Sequence, residues 1–433
     1  MNCARFNLSV WLLFFLLCPT PIFAADEFTF DLEEFEKKPL KLGGYAEIML
    51  EHKDVNQGSA FALINLPGHN LPTLDSFSTS LQIDGKYDKN IFSFNWLVDA
   101  YAQQDNIGWD DRADIFEAYA SIQPTPHFTS SIGKKSYRWG KGYAWNPVGF
   151  INRAKDPNDP EEALEGYITA EADLVKSYGG PLRTAALTTV VLPVWDEIND
   201  DFGEINHLNL AARLYLLFLD TDIDLILYTG QSHTRRYGLD FSKNMASNFE
   251  IHGEWAYVPR QSKVTINENN SVVNRNISAF SYLLGLRYLS ENDLTSIIEF
   301  YHNGGGYSED EMSRFFQLAR DGSHTDAPSG SLLLEKASEL SLKGFGRPQP
   351  GRNYLYGRFS QKEPFDILYF TPALTTIFNL DDRSYSIMPE LIYTGVTNLE
   401  LRLRFSCLNG GDSTEYGEKA YSNKLELRLR YFF

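Results

Sequence analysis

The 433-residue sequence predicts an all-β fold, a transmembrane antiparallel up-and-down β-barrel of about 18 strands, or 16 if one weak hairpin merges. Three observations predict it. The chain ends on a strand whose two faces differ: Leu425, Leu427, Leu429, Tyr431 and Phe433 share one, and Glu426, Arg428, Arg430 and Phe432 the other. Side chains alternate along a strand, and a membrane barrel strand sets apolar residues toward lipid and polar ones toward the lumen. The pattern recurs almost unchanged over Leu399, Glu400, Leu401, Arg402, Leu403, Arg404 and Phe405. Third, the gaps between candidate strands sort into short and long, as the two ends of a barrel require.

The elements follow in order. Arg5 precedes an apolar run over 10–18, and Ile22, Phe23 and Ala24 precede Ala25. This reads as a signal peptide over 1–24, because the run falls short of the roughly 20 apolar residues needed to span a bilayer. Leu16 and Leu17 before Cys18 are too large for a lipoprotein signal. Residues 25–41, acidic and carrying Phe28, Phe30 and Phe35, read as a short periplasmic segment. The barrel then occupies 42–433. Its expected strands are 42–52, 77–87, 91–103, 114–123, 127–137, 166–176, 182–192, 205–218, 222–231, 236–243, 248–258, 278–289, 294–302, 352–361, 366–378, 384–393, 397–408 and 423–433. A tilted membrane strand takes about 9–11 residues.

Gaps after even-numbered strands are compact and rich in turn formers, for example Pro124-Thr125-Pro126 and Gly179-Gly180-Pro181. Most others are long, notably 52–75, 138–165, 259–276, 303–351 and 409–421. Pro372 and Pro389 fall inside expected strands, where each removes a ladder donor and suggests a bulge.

On this register Asp84, Asp99, Glu117, Glu171, Asp173, Asp224, Glu250, Glu254, Glu299 and Glu390 face the lumen. So do Arg213, Arg287, Arg358 and the ladder Arg402, Arg404, Arg428 and Arg430. The ladder has two readings. One is cross-strand pairing that holds the wall together. The other is a positive stripe opposite an acidic wall, a transverse field that orients polar solutes. Either needs a hydrated lumen, since so many charges cannot be buried dry.

The segment 137–167 is the most distinctive. Gly133 and Lys134 open it, Trp139-Gly140-Lys141-Gly142 follows Arg138, and Trp145-Asn146-Pro147 comes next. Lys134, Lys135, Arg138, Lys141 and Arg153 make it basic, while Trp139 and Trp145 supply aromatic faces. One expectation is a loop folded into the lumen as a constriction, where these residues contact anionic or sugar-like solutes. The other is a loop packed over the rim. In 303–351, Met312, Phe315, Phe316 and Ala319 share one helical face from Ser308 on, and a second helix is expected near 332–342. The pair reads as a lid over the barrel mouth or as a cap on apolar surface.

The Gly-Lys…Trp-Gly-x-Gly…Asn-Pro pattern, together with 299–304 and the last hairpin, resembles that of poorly characterised porin-like barrels of the proteobacterial outer membrane. The terminal aromatic residue resembles their C-terminal signature. The resemblance implies a transport-related outer-membrane protein of a Gram-negative bacterium, whose Phe433 addresses the barrel-assembly machinery. It implies contact with membrane lipid and lipopolysaccharide, and no particular solute.

Composition limits the alternatives. No run after the signal is long enough for a membrane helix. The balance of −18 argues against nucleic acid as a partner. Only Cys407 follows the signal, which leaves no internal disulfide and no cysteine-based metal site. No metal or cofactor is expected, although the oxygen-rich run Asp156, Asn158, Asp159, Glu161 and Glu162 has the chemistry of a Ca²⁺ ligand set. A lipid hydrolase needs a His–Ser pair on the outer wall, and His302 with Ser308 is the nearest approach in sequence. The favoured expectation is a passive channel for small polar solutes, with no catalytic residues. A non-conducting barrel that binds polysaccharide or envelope material is the alternative, and homo-oligomers are compatible with both.

Overall fold

The computed structural model describes residues 39–267, 269–325 and 329–433. The expected signal peptide and the leader up to residue 38 lie outside the described residues. The rest is one closed ring of 18 antiparallel strands in sequence order. They are β1 (Leu40–Val55), β2 (Thr73–Lys89), β3 (Phe92–Asp105), β4 (Trp109–Thr125), β5 (Phe128–Lys135) and β6 (Tyr167–Ser177). Next come β7 (Leu182–Val194), β8 (His207–Phe218), β9 (Thr221–Thr229), β10 (Arg236–Ala246), β11 (Phe249–Ile266) and β12 (Val272–Leu289). The ring ends with β13 (Leu294–His302), β14 (Asn353–Gln361), β15 (Phe370–Asn379), β16 (Tyr385–Val396), β17 (Leu399–Asn409) and β18 (Tyr421–Phe432).

β18 closes the ring on β1, from Tyr45 opposite Phe432 to Asp54 opposite Asn423. The Phe433 amide donates to the Gly44 carbonyl at 3.1 Å. Gly44 has φ +155, and a Cβ there would lie 2.1 Å from the Gln82 carbonyl oxygen, so β1 approaches β2 there at a point that only glycine allows.

All 18 expected strands are present. β1 begins at Leu40, two residues before the expected start. The largest boundary difference lies in β11 and β12, which run to Ile266 and from Val272 where a loop over 259–276 was expected. Pro259 ends the regular ladder, but a bulge between Val258 and Gln261 absorbs it and pairing resumes. Ile266 at the end of β11 is thereby buried among the cap residues Phe315 and Phe316. Neither Pro372 nor Pro389 causes a register shift. The pairing of β14 with β15 ends at Ala373, so Pro372 has no donor to lose on that side. Around Pro389 the β16–β17 ladder skips a step and continues in the same register.

The outer wall is apolar. Ile48, Leu50, Phe77, Ile132, Leu174, Leu225, Leu284, Leu403, Leu427 and many like them are exposed around the ring. A belt of this extent has no place in water, where contiguous apolar patches rarely exceed a few hundred Å². The inner wall is polar. Asp224, Asp240, Glu254, Glu299, Glu390 and Glu426 are buried almost completely inside the ring.

Three helices sit at the long-loop rim: α1 (Ala60–Asn65), α2 (Glu309–His324) and α3 (Ser329–Leu340), the last followed by a π-turn over Ser341–Phe345. Ser308 caps α2 and forms a capping box with Glu311. Met312, Phe315, Phe316 and Ala319 are buried together, as the helical spacing expects. α1 was not expected, since six residues show no period. It is held by Phe61 against the rings of Phe315 and Phe316, 5.7 and 6.1 Å away. The cap is tied to the last long loop, where Glu418 accepts from the Ala60 amide at 2.7 Å and pairs with Arg320.

Candidate functional site

The segment 136–166 leaves β5 and folds into the barrel rather than over its rim. Its contacts reach β11, β13 and β14, which lie roughly half-way round the ring. Four consecutive backbone N–H groups make the crossing. The Lys141 and Gly142 amides both donate to Glu254 Oε1 at 2.6 Å. The Tyr143 amide donates to Glu299 Oε1 at 2.5 Å, and the Ala144 amide to Glu299 Oε2 at 2.9 Å. Asn146 Nδ2 adds a bond to Glu254 Oε1 at 2.8 Å, and the Val148 amide one to Oε2 at 3.3 Å. A run of amides converging on a carboxylate is an anion-binding nest. Here the anions are two carboxylates of the wall itself.

Glycine makes the nest possible. Gly140 has φ +110, and a Cβ on Gly142 would lie 2.1 Å from the Trp145 carbonyl oxygen. Lys155 neutralises part of the charge from below, donating to the Gly142 and Tyr143 carbonyls at 3.0 and 3.3 Å. Burial pushes the Lys155 ammonium below its usual range, while Glu254 and Glu299 pull it back up. We expect Gly142→Ala to loosen the loop. Limited proteolysis of the refolded barrel should then cut at Arg138 or Lys141 several times faster than in wild type. An unchanged cleavage rate would show that the nest does not hold the loop.

Most residues expected to contact solute have partners that fasten this loop. Lys134 pairs with Glu165, and Arg153 with Asp201 and, at 3.4 Å, with Glu165. Lys135 meets Glu171 at 2.7 Å, and Lys141 meets Asp224 at 2.9 Å. Trp139 is buried in an apolar cluster with Tyr137, Val148, Phe150, Ile151 and residues of β7 to β9. Trp145 stacks on Tyr301 with centroids 5.1 Å apart, among Tyr354, Tyr356 and Tyr416. Both indole faces are covered. Arg138 alone of the set is exposed, with one hydrogen bond to the Glu162 carbonyl at 3.0 Å.

The arginine ladder occupies the wall of β17 and β18, and the loop reaches it too. Asp159 Oδ2 lies 3.5 Å from Arg402, 3.5 Å from Arg404 and 3.3 Å from Arg428. The other partners are wall carboxylates. Arg404 meets Glu390 at 2.6 Å, Arg402 meets Glu400 at 3.0 Å, Arg428 meets Glu426 at 3.1 Å, and Arg430 meets Glu47 at 2.7 Å. Arg358, at 3.5 Å from Glu390, completes the set. Five guanidinium groups thus face five carboxylates, Asp159 among them. The ladder is a paired network rather than an open positive stripe. Burial works against the charge of Asp159, but Arg404, Arg402 and Arg428 outweigh it and hold its carboxyl below the usual range. In the same acidic run, Asp156 Oδ1 accepts from the amide and side chain of Asn158, both at 2.9 Å, a local turn.

The long-loop end holds one more buried acid. Glu415 Oε2 accepts from the Tyr354 hydroxyl at 2.6 Å and from Asn379 Nδ2 at 2.8 Å, and Oε1 has no hydrogen-bond partner. Burial pushes its carboxyl up to about 7, against the opposing pull of Lys419. A carboxyl raised on folding keeps its proton after the unfolded chain has lost its own. Stability therefore falls as pH rises from the ordinary carboxylate range to about 7. We expect Glu415→Gln to remove most of that loss, so that its thermal midpoint exceeds that of wild type at about pH 8 but not at about pH 5. Equal midpoints at both would show that Glu415 is solvated.

The His–Ser pair does not form a catalytic arrangement. The Ser308 hydroxyl accepts from the Glu311 amide as a helix cap, and His302 Nδ1 lies 2.8 Å from Asn353 Oδ1. On the outer wall His52 Nδ1 meets Asp75 at 2.6 Å, but its other nitrogen faces Asp54 at 3.8 Å rather than a serine.

These features define a closed 18-stranded barrel with an inward-folded loop and an ion-paired lumen. No known family profile matches the sequence, and no curated protein matches it. Among solved structures the chain is similar to OccK5 (OpdH) of Pseudomonas aeruginosa. Identity is 9% and the TM-score 0.53, with 91% of this chain and 98% of that one covered. A porin of Rhodopseudomonas blastica, a triple mutant, aligns over 91% of this chain and all of its own at 10% identity and a TM-score of 0.43. At such identities the likeness to OccK5 is one of fold alone.

Proposed function

We propose that the chain is a porin-like channel of the outer membrane of a Gram-negative bacterium, through which small polar solutes diffuse passively. The observation that carries this reading is the inward loop. It is latched to Glu254 and Glu299 on one wall and to the arginines of β17 and β18 on another, so it narrows an otherwise wide ring. A ring of 16 to 18 strands encloses an aqueous bore unless something fills it. The apolar outer belt suits lipid, and the charged inner wall suits water and ions. Anionic or carbohydrate-like solutes fit a bore lined by alternating carboxylates and guanidinium groups. Contact with lipopolysaccharide, recognition of Phe433 by the assembly machinery and a homo-oligomeric state belong to the same reading. No catalytic role is proposed.

The test is the mature chain refolded into a planar bilayer, with single-channel conductance and reversal potential read across a salt gradient. Steady conductance is expected. A second reading, a non-conducting barrel that binds envelope polysaccharide, draws on the helical cap at the rim and on the aromatic packing around Trp145. A correctly folded barrel without conductance would overturn the channel and favour that reading.

A further inference from the structure

We propose a second binding site, for a small phosphate- or carboxylate-type anion, in a cleft at the long-loop rim beneath the helical cap. This inference builds on the channel reading by naming where an anion is captured, but the site stands on its own geometry. The cleft encloses about 180 Å³ between β11, the segment 303–307 and the stretch after α3. Its charged lining residues are Lys263, Lys343 and Arg347, with no carboxylate among them. Two of the three have a carboxylate partner outside the lining, and Arg347 has none among the described residues.

Each cation is placed differently. Lys263 is almost fully buried. Its ammonium donates to the Gly306 carbonyl and to Glu311, both at 2.8 Å, and lies 4.7 Å from the centre of the Tyr307 ring. It forms the rigid floor. Lys343 stands at the exposed edge, 3.4 Å from Glu339. Arg347 is exposed and makes no ion pair with any described residue. Its charge reaches both His233 and Tyr307. Gln261 adds a neutral amide to the lining, while the Ser262 hydroxyl donates to Asn274 Oδ1 at 2.7 Å. The wall opposite is shaped by Gly344, whose φ of +137 turns the chain away, since a Cβ there would lie 2.9 Å from the Tyr307 hydroxyl.

The volume suits an anionic group rather than a drug-sized molecule, for which pockets of roughly 300–1,000 Å³ are usual. Guanidinium and ammonium groups bind phosphate and carboxylate oxygens through charge-assisted hydrogen bonds, with arginine supplying a planar fork. The cleft also connects to the inward loop. Two residues beyond Arg347, Gln349 Oε1 accepts from Trp145 Nε1 at 3.4 Å. An anion held by Arg347 is thus adjacent to the segment that meets the constriction.

The experiment is calorimetric titration of the full mature barrel, refolded in detergent micelles, with inorganic phosphate at low ionic strength. Saturable binding is expected, weakening as salt is added. Lys343→Gln with Arg347→Gln, both exposed and outside the barrel wall, should weaken it at least tenfold. Arg183→Gln at the opposite rim should leave it unchanged. No saturable binding, or equal binding by the double variant, overturns the site. Lipopolysaccharide added in a second titration separates the sources. If it displaces phosphate, the lipid headgroup is a natural occupant, and if it does not, the occupant is a free solute. Because the micelle assay needs no current, phosphate binding without bilayer conductance would sink the channel but keep the site, and the converse would do the opposite.

Discussion

A barrel carrying Glu254→Ala together with Glu299→Ala should conduct several times more current per channel than wild type. Six donors of the inward loop, five backbone amides and Asn146 Nδ2, end on these two carboxylates. A buried donor left without its acceptor costs about 1–3 kcal/mol, and bonds to charged groups are the stronger ones. With both acceptors gone, the cheapest way for 141–148 to regain hydrogen bonds is to leave the wall and meet water. Lys155 then loses the two charges it faces, which favours the same release. The bore widens as the segment retreats. Glu250→Ala, on the same strand as Glu254 but bonded to Ser242 at 3.2 Å and not to the loop, is the control and should conduct like wild type. Each single variant should show a smaller rise with more current noise, since one latch remains. The opposing force is apolar: Trp139 and Trp145 are each buried among aromatic residues. If the double variant conducts like wild type, those clusters alone hold the loop, and the carboxylate latch is not what sets the bore.

The latch also shows where sequence reasoning stops. Glu254 and Glu299 were legible as lumen residues, because strand alternation fixes which way a side chain points. Their partners were not legible. The amides of 141–144 lie more than 100 positions away in sequence, and a loop's backbone donors leave no mark on its residue types. The glycines of Trp139-Gly140-Lys141-Gly142 were the available signal, since paired glycines allow amides to converge on an anion. They pointed to an unusual backbone without saying what it binds. The partners of the basic residues were not legible either. Cations in a lumenal loop look available for solute, yet Lys134, Lys135, Lys141 and Arg153 each sit against a wall or loop carboxylate. In an acidic barrel, a buried cation is satisfied locally before it can serve a solute. Strand number and order were legible because period-two alternation and the sorting of loop lengths are both local. The extended β11–β12 pairing was not, because Pro259 reads as a stop and only the paired structure shows the bulge that carries the ladder past it.

Asp159→Asn should turn the channel toward anions. The network around β17 and β18 sets five guanidinium groups against five carboxylates, and Asp159 is the one carboxylate supplied by the loop rather than by the wall. Removing its charge makes the place where loop and wall meet more positive by one charge. At about 8 Å in water a unit charge is worth about 0.5 kcal/mol to a passing ion. That favours an anion and disfavours a cation by about two- to threefold each, so the permeability ratio should move by about fivefold at low salt. The shift should fade near 1 M salt, where the screening length falls to about 3 Å. Reversal potential across a salt gradient reads this directly. The pH dependence has a definite sign. The arginines hold the Asp159 carboxyl below its usual range, so wild type keeps the charge down through ordinary carboxylate pH. The stability it contributes is present at neutral pH and is lost only as pH falls through the depressed value. Variant and wild type should therefore differ in selectivity from neutral pH to well below about pH 4, the unperturbed range, and converge only in stronger acid. Unchanged selectivity in Asp159→Asn at low salt would place the arginine network outside the path of the ions, leaving its pairing purely structural.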